Sequence, residues 1–383
     1  MSVTAARGFT AAGMAAGIKE NGKQDLALVV NEGPRYDAAG VFTSNRVQAA
    51  PVRWTREGVA DGVLRAVVLN SGGANACTGA QGARDTRATA ERVADRLGVG
   101  PADVAVCSTG LIGVPLPMDR LLAGVDEVVL RRSRSGGEDA AVAVMTTDTV
   151  HKTAAVTRDG WTVGGMAKGA GMLAPGLATM LVVLTTDAVA EAADLDRALR
   201  AATRTTFDRV DSDGCMSTND TVLLLASGAS GTTPEHGAFA EAVREVCADL
   251  ARQLVKDAEG ADKEIRIEVA GAASEDDAVE VGRSVARNNL LKCALHGEDP
   301  NWGRVLSAVG TTSARFDPDR ISVAINDVWV CKDGSPGEDR ALVDMGGREV
   351  GIRVELGAGT DSAVIWTNDL TAAYVHENSE YSS

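Results

Sequence analysis

The chain has 383 residues, enough to bury a large core and long for one compact domain. Its make-up is that of an ordinary globular protein (45% hydrophobic, 24% charged, 42 glycines, only 3% aromatic), so Ala-rich helices and β-branched strands should form the core. A net charge of −15 argues against nucleic acid and anionic membranes as partners, since both need clustered Lys and Arg; it serves solubility, or suits a cationic small molecule.

The N-terminus, MSVTAARGFTAAG, lacks the basic and apolar regions of a signal peptide, so a reducing cytoplasmic location is expected. LALVV (26–30) and LRAVVLN (64–70) read as buried strands. NSGGANACTGAQGA (70–83) follows a strand and precedes a helix. It lacks both G-x-x-x-x-G-K-[ST] and G-x-G-x-x-G, which favours a tight turn over a phosphate cradle. Residues 82–98 carry apolar positions at helical spacing and end on Gly98. After VAVC, STGLIG (108–113) is expected where a strand gives way to a helix; its N–H groups suit an anion or oxyanion, or form a plain turn.

Phe239, Val243, Val246, Leu250 and Leu254 predict an amphipathic helix over about 238–256, and a second helix is predicted over about 276–291. In HGEDPNWGR (296–304), Pro300 and Asn301 predict a turn entering a helix with Trp302 packed. His296 is read there as structural or as a distant support for the site. RISVAINDVWV (320–330) and REVGIRVEL (348–356) read as half-buried strands. Strands and helices alternate too irregularly for a doubly wound fold, which favours mixed α and β layers. The six cysteines show no C-x-x-C, so no disulfide framework or structural zinc is expected, and most should be small buried hydrophobes. His151, His236 and His376 show no ligand spacing, and no metal is expected. Met180 to Leu184 is too short an apolar run to span a bilayer.

GGMAKGAGMLAPGLATMLVVLTTDA (164–188) is the most unusual stretch. Its first half is built from small residues that tolerate strain and close approach. From Thr179 it becomes an apolar strand whose first residue carries a hydroxyl. That order fits a chain that cuts itself between Ala178 and Thr179 and then uses Thr179 as an N-terminal nucleophile. The freed α-amine, with an ordinary pKa of about 7.7–8.0, can serve as base for its own hydroxyl. By local sequence alone, a Gly/Pro loop entering a core strand is the better explanation of the stretch, since many proteins place Thr at a strand start.

KGAGMLAPGLATML closely resembles the self-cleavage site of the ornithine acetyltransferase family, the bifunctional glutamate N-acetyltransferases of arginine biosynthesis. The resemblance runs nearly end to end. It includes VFTSNRVQAAPV (41–52), VVLNSGGANACTG (67–79), STGLIG, MTTDT (145–149), STNDT (217–221), AEGADK (258–263), HGEDPNWGR and the tail ENSEYSS (377–383). Three departures are visible: Ala258 where Gly is usual, Asp262 where Thr is usual, altering the charge beside Glu259, and Gly176-Leu177 where Asn-Met is common.

The resemblance implies an α/β layered fold of the self-cleaving N-terminal-nucleophile type, with helix layers around β-sheets and a smaller α+β C-terminal region. It implies fragments 1–178 and 179–383, paired as α2β2. It implies ping-pong transfer of acetyl from N2-acetylornithine to glutamate through acetyl-Thr179, without metal or coenzyme, and acetyl-CoA as a donor in some members. Thr109 and Gly110 would form the oxyanion site, where each donor typically contributes about 2.7–4 kcal/mol. Lys168 would pair with a substrate carboxylate, and Glu259 would relay a proton or hold an ammonium. Thr146 or Thr147 would bind substrate, as would Asn378 and Ser383 of the tail. A hydrolase of the same architecture and a non-catalytic binding protein are the competing readings.

Overall fold

Strands covered on both faces need apolar residues at consecutive positions, and the N-terminal two thirds of this chain supplies them. The structure, a computed structural model, describes residues 2–173 and 180–380. Ala178, Thr179 and Ser383 lie outside the described residues. The chain divides into two compact units, and the expected boundary at 178/179 falls within the sequence span of the first.

Among the described residues the first unit covers 2–208 and 215–257. Its strands are β1 (Phe9–Met14), β2 (Leu26–Asn31), β3 (Ala38–Phe42), β4 (Ala66–Ser71), β5 (Val104–Thr109), β6 (Lys152–Arg158), β7 (Trp161–Lys168), β8 (Leu181–Thr186) and β9 (Thr221–Ala226). Its helices are α1 (Ala50–Gly58), α2 (Gly79–Leu97), α3 (Met118–Arg131), α4 (Gly137–Ala143), α5 (Ala192–Thr205) and α6 (His236–Lys256). One sheet runs β1-β2-β4-β5 and the other β3-β9-β8-β7-β6. Every residue of β2, β4, β5, β7, β8 and β9 is buried.

The sheets face each other. Val29, Leu69 and Cys107 of the first share one apolar cluster with Met166, Val183 and Leu223 of the second. The outer face of the first sheet packs Leu28, Val68 and Val106 against Val93 of α2 and Leu121 of α3. Helices α5 and α6 cover the second sheet. The result is a helix–sheet–sheet–helix sandwich, the layered α/β class expected. Helix α2 ends on Gly98 at φ +67, a left-handed cap that suits glycine. After STGLIG, however, α3 starts only at Met118, so the segment is a turn and not a helix N-terminus.

The second unit covers 209–214 and 258–380 among the described residues. It contains β10 (Glu264–Ala272), α7 (Glu275–Ala286), α8 (Asn289–His296), α9 (Trp302–Val309), β11 (Ser322–Ile325), β12 (Val328–Lys332), β13 (Ser335–Pro336), β14 (Glu349–Glu355), β15 (Asp361–Asn368) and α10 (Ala372–Glu380). The sheet order is β13-β12-β11-β14-β10-β15. Burial alternates along β10 and β14 because α7 and α9 cover one face only.

Two expectations are corrected in this unit. The helix predicted over 276–291 is two helices, because the Asn288 side chain accepts the Leu291 N–H and caps a new start. The strand predicted over 320–330 is a hairpin, broken at Asn326 and Asp327, both at positive φ. A third correction concerns the cysteines: Cys107, Cys247 and Cys331 are buried, whereas Cys77, Cys215 and Cys293 are exposed. Among the described residues, no helix is long and apolar enough to cross a membrane.

Candidate active site

The loops that leave the buried strands of the first unit meet around Thr109. The turn after β4 and the turn after β5 are stitched together by their backbones. Gly73 N–H donates to Thr109 O (3.0 Å), Ala74 N–H to Leu111 O (3.0 Å) and Gly113 N–H to Ala76 O (2.9 Å). The glycine-rich turn is therefore a brace for the Thr109–Gly110 turn, and its Gly73 and Ala74 donors are already engaged. Gly110 sits at φ +126, where a Cβ would come within 2.5 Å of Gly73 N; only glycine fits.

Buried amides hold this brace. Asn219 Nδ2 donates to Ala74 O (2.6 Å) and Ser108 O (2.8 Å). Ser108 Oγ donates to Asn70 Oδ1 (2.6 Å), and Asn70 Nδ2 reaches Gly73 O (2.9 Å). Thr43 and Asn45 in turn anchor the 216–220 turn, through Thr43 Oγ1 to Ser217 O (2.7 Å) and Asn45 Nδ2 to Met216 O (2.9 Å).

Lys168 is the last residue of β7 and pairs across the sheet with Leu181, the first of β8. Its side chain is 1% exposed, and Nζ donates to Thr109 Oγ1 at 3.3 Å. A hydroxyl that accepts from an ammonium keeps its own proton for donation, so Thr109 can act as an oxyanion donor.

Beyond Lys168 lies a buried ionic cluster. Asp148 accepts Lys152 Nζ (2.7 Å), Gly169 N–H (2.7 Å) and Thr146 N–H (2.9 Å). Lys152 also reaches Asp257 Oδ2 at 2.6 Å. Burial alone would raise the Asp148 pKa, but the Lys168 and Lys152 charges and these donors bring it down to about 2. One carboxylate thus sets both the MTTDT turn, with Thr146 and Thr147 half-buried, and the residue after Lys168. Lys19 Nζ donates to Met145 O (2.7 Å); burial, aided by the nearby Lys168 charge, pushes its pKa down to about 8 against the pull of Asp25.

A second carboxyl under the influence of Lys168, Asp220, is 0% exposed. Its Oδ1 accepts the Met180 N–H at 3.0 Å, and Oδ2 has no hydrogen-bond partner among the described residues. Burial pushes this carboxyl well above the usual range, against the pull of Met180 N–H, Ser217 and the Lys168 charge. An unpaired buried polar group costs about 1–3 kcal/mol, so the sequence keeps a destabilising acid at this point.

Glu259 and Asn378 belong to the second unit, where Asn378 Nδ2 donates to Glu259 Oε2 at 3.0 Å. The tail is helical there. Asp262 Oδ2 lies 3.5 Å from His296 Nδ1. His296 Nδ1 is 3.0 Å from Asp369 Oδ2, and Asp369 Oδ1 accepts the N–H groups of Asp262 and Lys263. Asp262, His296 and Asp369 are close enough to hold a cation, but the hydrogen bonds account for their grouping without one. Trp302 begins α9 behind the Asn301 cap, as expected.

The structure thus brings Thr109, Gly110, Lys168 and the Thr146–Thr147 turn together, and joins Glu259 to Asn378. Sequence reasoning missed Lys19, Asp148, Lys152, Asn219 and Asp220. MTTDT and STNDT carried three of them, yet short polar side chains in turns look the same whether buried or solvated. A separate cleft of about 510 Å3 between β3 and α5 is lined by small residues, with Arg56 and Arg200 already paired to Gln48 and Asp196.

The ArgJ family pattern matches residues 10–383. The arginine biosynthesis bifunctional proteins ArgJ of Streptomyces coelicolor and Streptomyces avermitilis are each 73% identical over 383 residues, covering 100% of both chains. A crystal structure of ornithine acetyltransferase complexed with ornithine from Mycobacterium tuberculosis is 60% identical over 47% of this chain and 96% of that chain, with a TM-score of 0.45.

Proposed function

The chain belongs to the ArgJ family, acyltransferases of arginine biosynthesis, and from that premise we propose that it moves acetyl from N2-acetylornithine to glutamate through an ester on Thr179. Thr179 Oγ attacks the acetyl carbonyl, ornithine leaves, and glutamate takes the acetyl group to give N-acetylglutamate. The Thr109 hydroxyl and the Gly110 N–H stabilise the oxyanion of each tetrahedral intermediate. Lys168 holds a substrate carboxylate, Thr146 and Thr147 line the site, and Glu259 with Asn378 and Ser383 serves the amine side. Neither metal nor coenzyme enters the transfer; acetyl-CoA serves as an alternative donor.

The observation that carries this reading is the placement of Lys168. It donates to Thr109 Oγ1 and stands across the sheet from Leu181, two residues after Thr179. Self-cleavage between Ala178 and Thr179 first frees the nucleophile, leaving fragments 1–178 and 179–383 that assemble as α2β2 in the cytoplasm.

A denaturing gel with N-terminal sequencing tests the first step. Two bands, one starting Thr-Met-Leu-Val-Val, are expected from the wild type and a single chain from Thr179→Ala. Incubation with N-acetylornithine should then add one acetyl mass to the 179–383 fragment. An intact wild-type chain after long incubation, indistinguishable from Thr179→Ala, would sink the reading.

A further inference from the structure

The 217–220 turn has a job that the transfer reaction leaves unassigned. Asn219 holds the oxyanion brace, whereas Asp220 points the other way, onto the Met180 N–H. That amide is joined covalently to the Thr179 carbonyl carbon. Consecutive backbone nitrogens lie at most about 3.6 Å apart, so the Thr179 nitrogen is within one residue of the one Asp220 holds. One carboxyl oxygen is committed to Met180. The other is buried and lacks a partner among the described residues.

We propose that Asp220 is the proton-handling acid at the Thr179 nitrogen, acting in self-cleavage and then holding the freed α-amine. This rests on the Thr179 reading above. The step balances without a co-reactant other than water. Thr179 Oγ bonds to the Ala178 carbonyl carbon and the Ala178 C–N bond breaks. The neutral Asp220 carboxyl gives its proton to the departing nitrogen, and the same oxygen takes the proton that leaves Thr179 Oγ, so the acid is regenerated. Water then splits the ester: its oxygen bonds to the Ala178 carbonyl carbon as the bond to Oγ breaks, one of its protons goes to Oγ, and the other passes to the freed α-amine, leaving a carboxylate on Ala178 and an ammonium on Thr179. After the cut, Asp220 accepts a hydrogen bond from the new α-amine and orients it toward the Thr179 hydroxyl.

The geometry suits this role. A carboxyl anchored by one oxygen keeps a fixed direction for the other. Full burial favours the neutral acid, and the Lys168 charge at the end of β7 acts on it in the opposite direction. Asp148 and Lys19 face Lys168 in turn. All three remain in an Asp220 variant, so a difference in pH profile isolates Asp220.

The test follows self-cleavage of freshly translated full-length chain by pulse-chase on a denaturing gel, across neutral and alkaline pH. Asp220→Asn keeps an acceptor for Met180 N–H but cannot supply the proton. It should cleave roughly 10²–10⁴-fold more slowly than wild type. The wild-type rate should fall as pH rises through the raised Asp220 pKa, because the acid form is the active one; the residual Asp220→Asn rate should lack that fall. Asp220→Asn cleaving within about 3-fold of wild type, with the same profile, would overturn the proposal and leave the Thr179 reading intact. A wild type that never cleaves would overturn both. Should Asp220→Asn fail to fold, the wild-type profile decides: a flat rate across that range overturns the role.

Discussion

Asp148 and Asp220 are both buried carboxyls beside Lys168, yet their environments drive them apart. Asp148 meets Lys152, Gly169 N–H and Thr146 N–H, and stays ionised down to about pH 2. Asp220 has the Met180 N–H on one oxygen and no partner for the other among the described residues, and burial pushes its pKa well above the ordinary value. Paired titratable groups pushed in opposite directions are how one fold runs acid and base chemistry at one pH. The difference also separates scaffold from chemistry. The satisfied carboxylate builds the site, and the unsatisfied one is free to act.

The largest effect that would sharpen this contrast is on stability. Asp148→Asn leaves Lys152 as a buried cation with Asp257 as its remaining carboxylate partner among the described residues, and should cost about 3–5 kcal/mol in a urea titration. A cost no larger than that of an exposed pair would mean the cluster is not the scaffold described.

Next comes pH. Asp148 is depressed, so it contributes stability above its ordinary pKa of 3.8 that is lost as pH falls through about 2. That term is about 2 kcal/mol and should vanish from the acid limb of the unfolding curve in Asp148→Asn. Asp220 is raised and has the opposite sign. Its contribution is present below 3.8 and is lost as pH rises through its folded-state pKa. Equal slopes for the Asp148 and Asp220 variants would break the comparison.

The smallest stability effect is expected at Asn219. Asn219→Ala removes the donor to Ala74 O and Ser108 O and should cost on the order of 1 kcal/mol if water replaces the amide. Its larger effect should be kinetic. With the Thr109–Gly110 turn loosened, kcat should fall roughly tenfold while KM holds, since oxyanion donors act mainly in the transition state. A raised KM at constant kcat would instead place Asn219 in ground-state binding.

The strands of the sandwich were legible because burial on both faces demands unbroken apolar runs, and LALVV and LRAVVLN are such runs. Helices α2 and α6 were legible from their 3.6-residue period, and the end of α2 from Gly98. The misread ends lay where one polar side chain decides the matter. Asn288 capped a new helix, and Asn326-Asp327 turned a strand back on itself. All three residues are compatible with continuing or stopping, and only neighbouring contacts choose.

The same division runs through the site. The motif around 164–188, with its family resemblance, singled out Thr179, and Thr109, Gly110 and Lys168 followed. Sequence alone thus determined the layered class and named the candidate site residues, because those depend on periodicity and on motifs read locally. Only the tertiary structure decided their order of support. It set Lys168 on Thr109, made the glycine-rich turn a brace, and gave Asp148 a full set of partners while leaving Asp220 one short. A carboxyl's charge state depends on what surrounds it in space, which no linear pattern records.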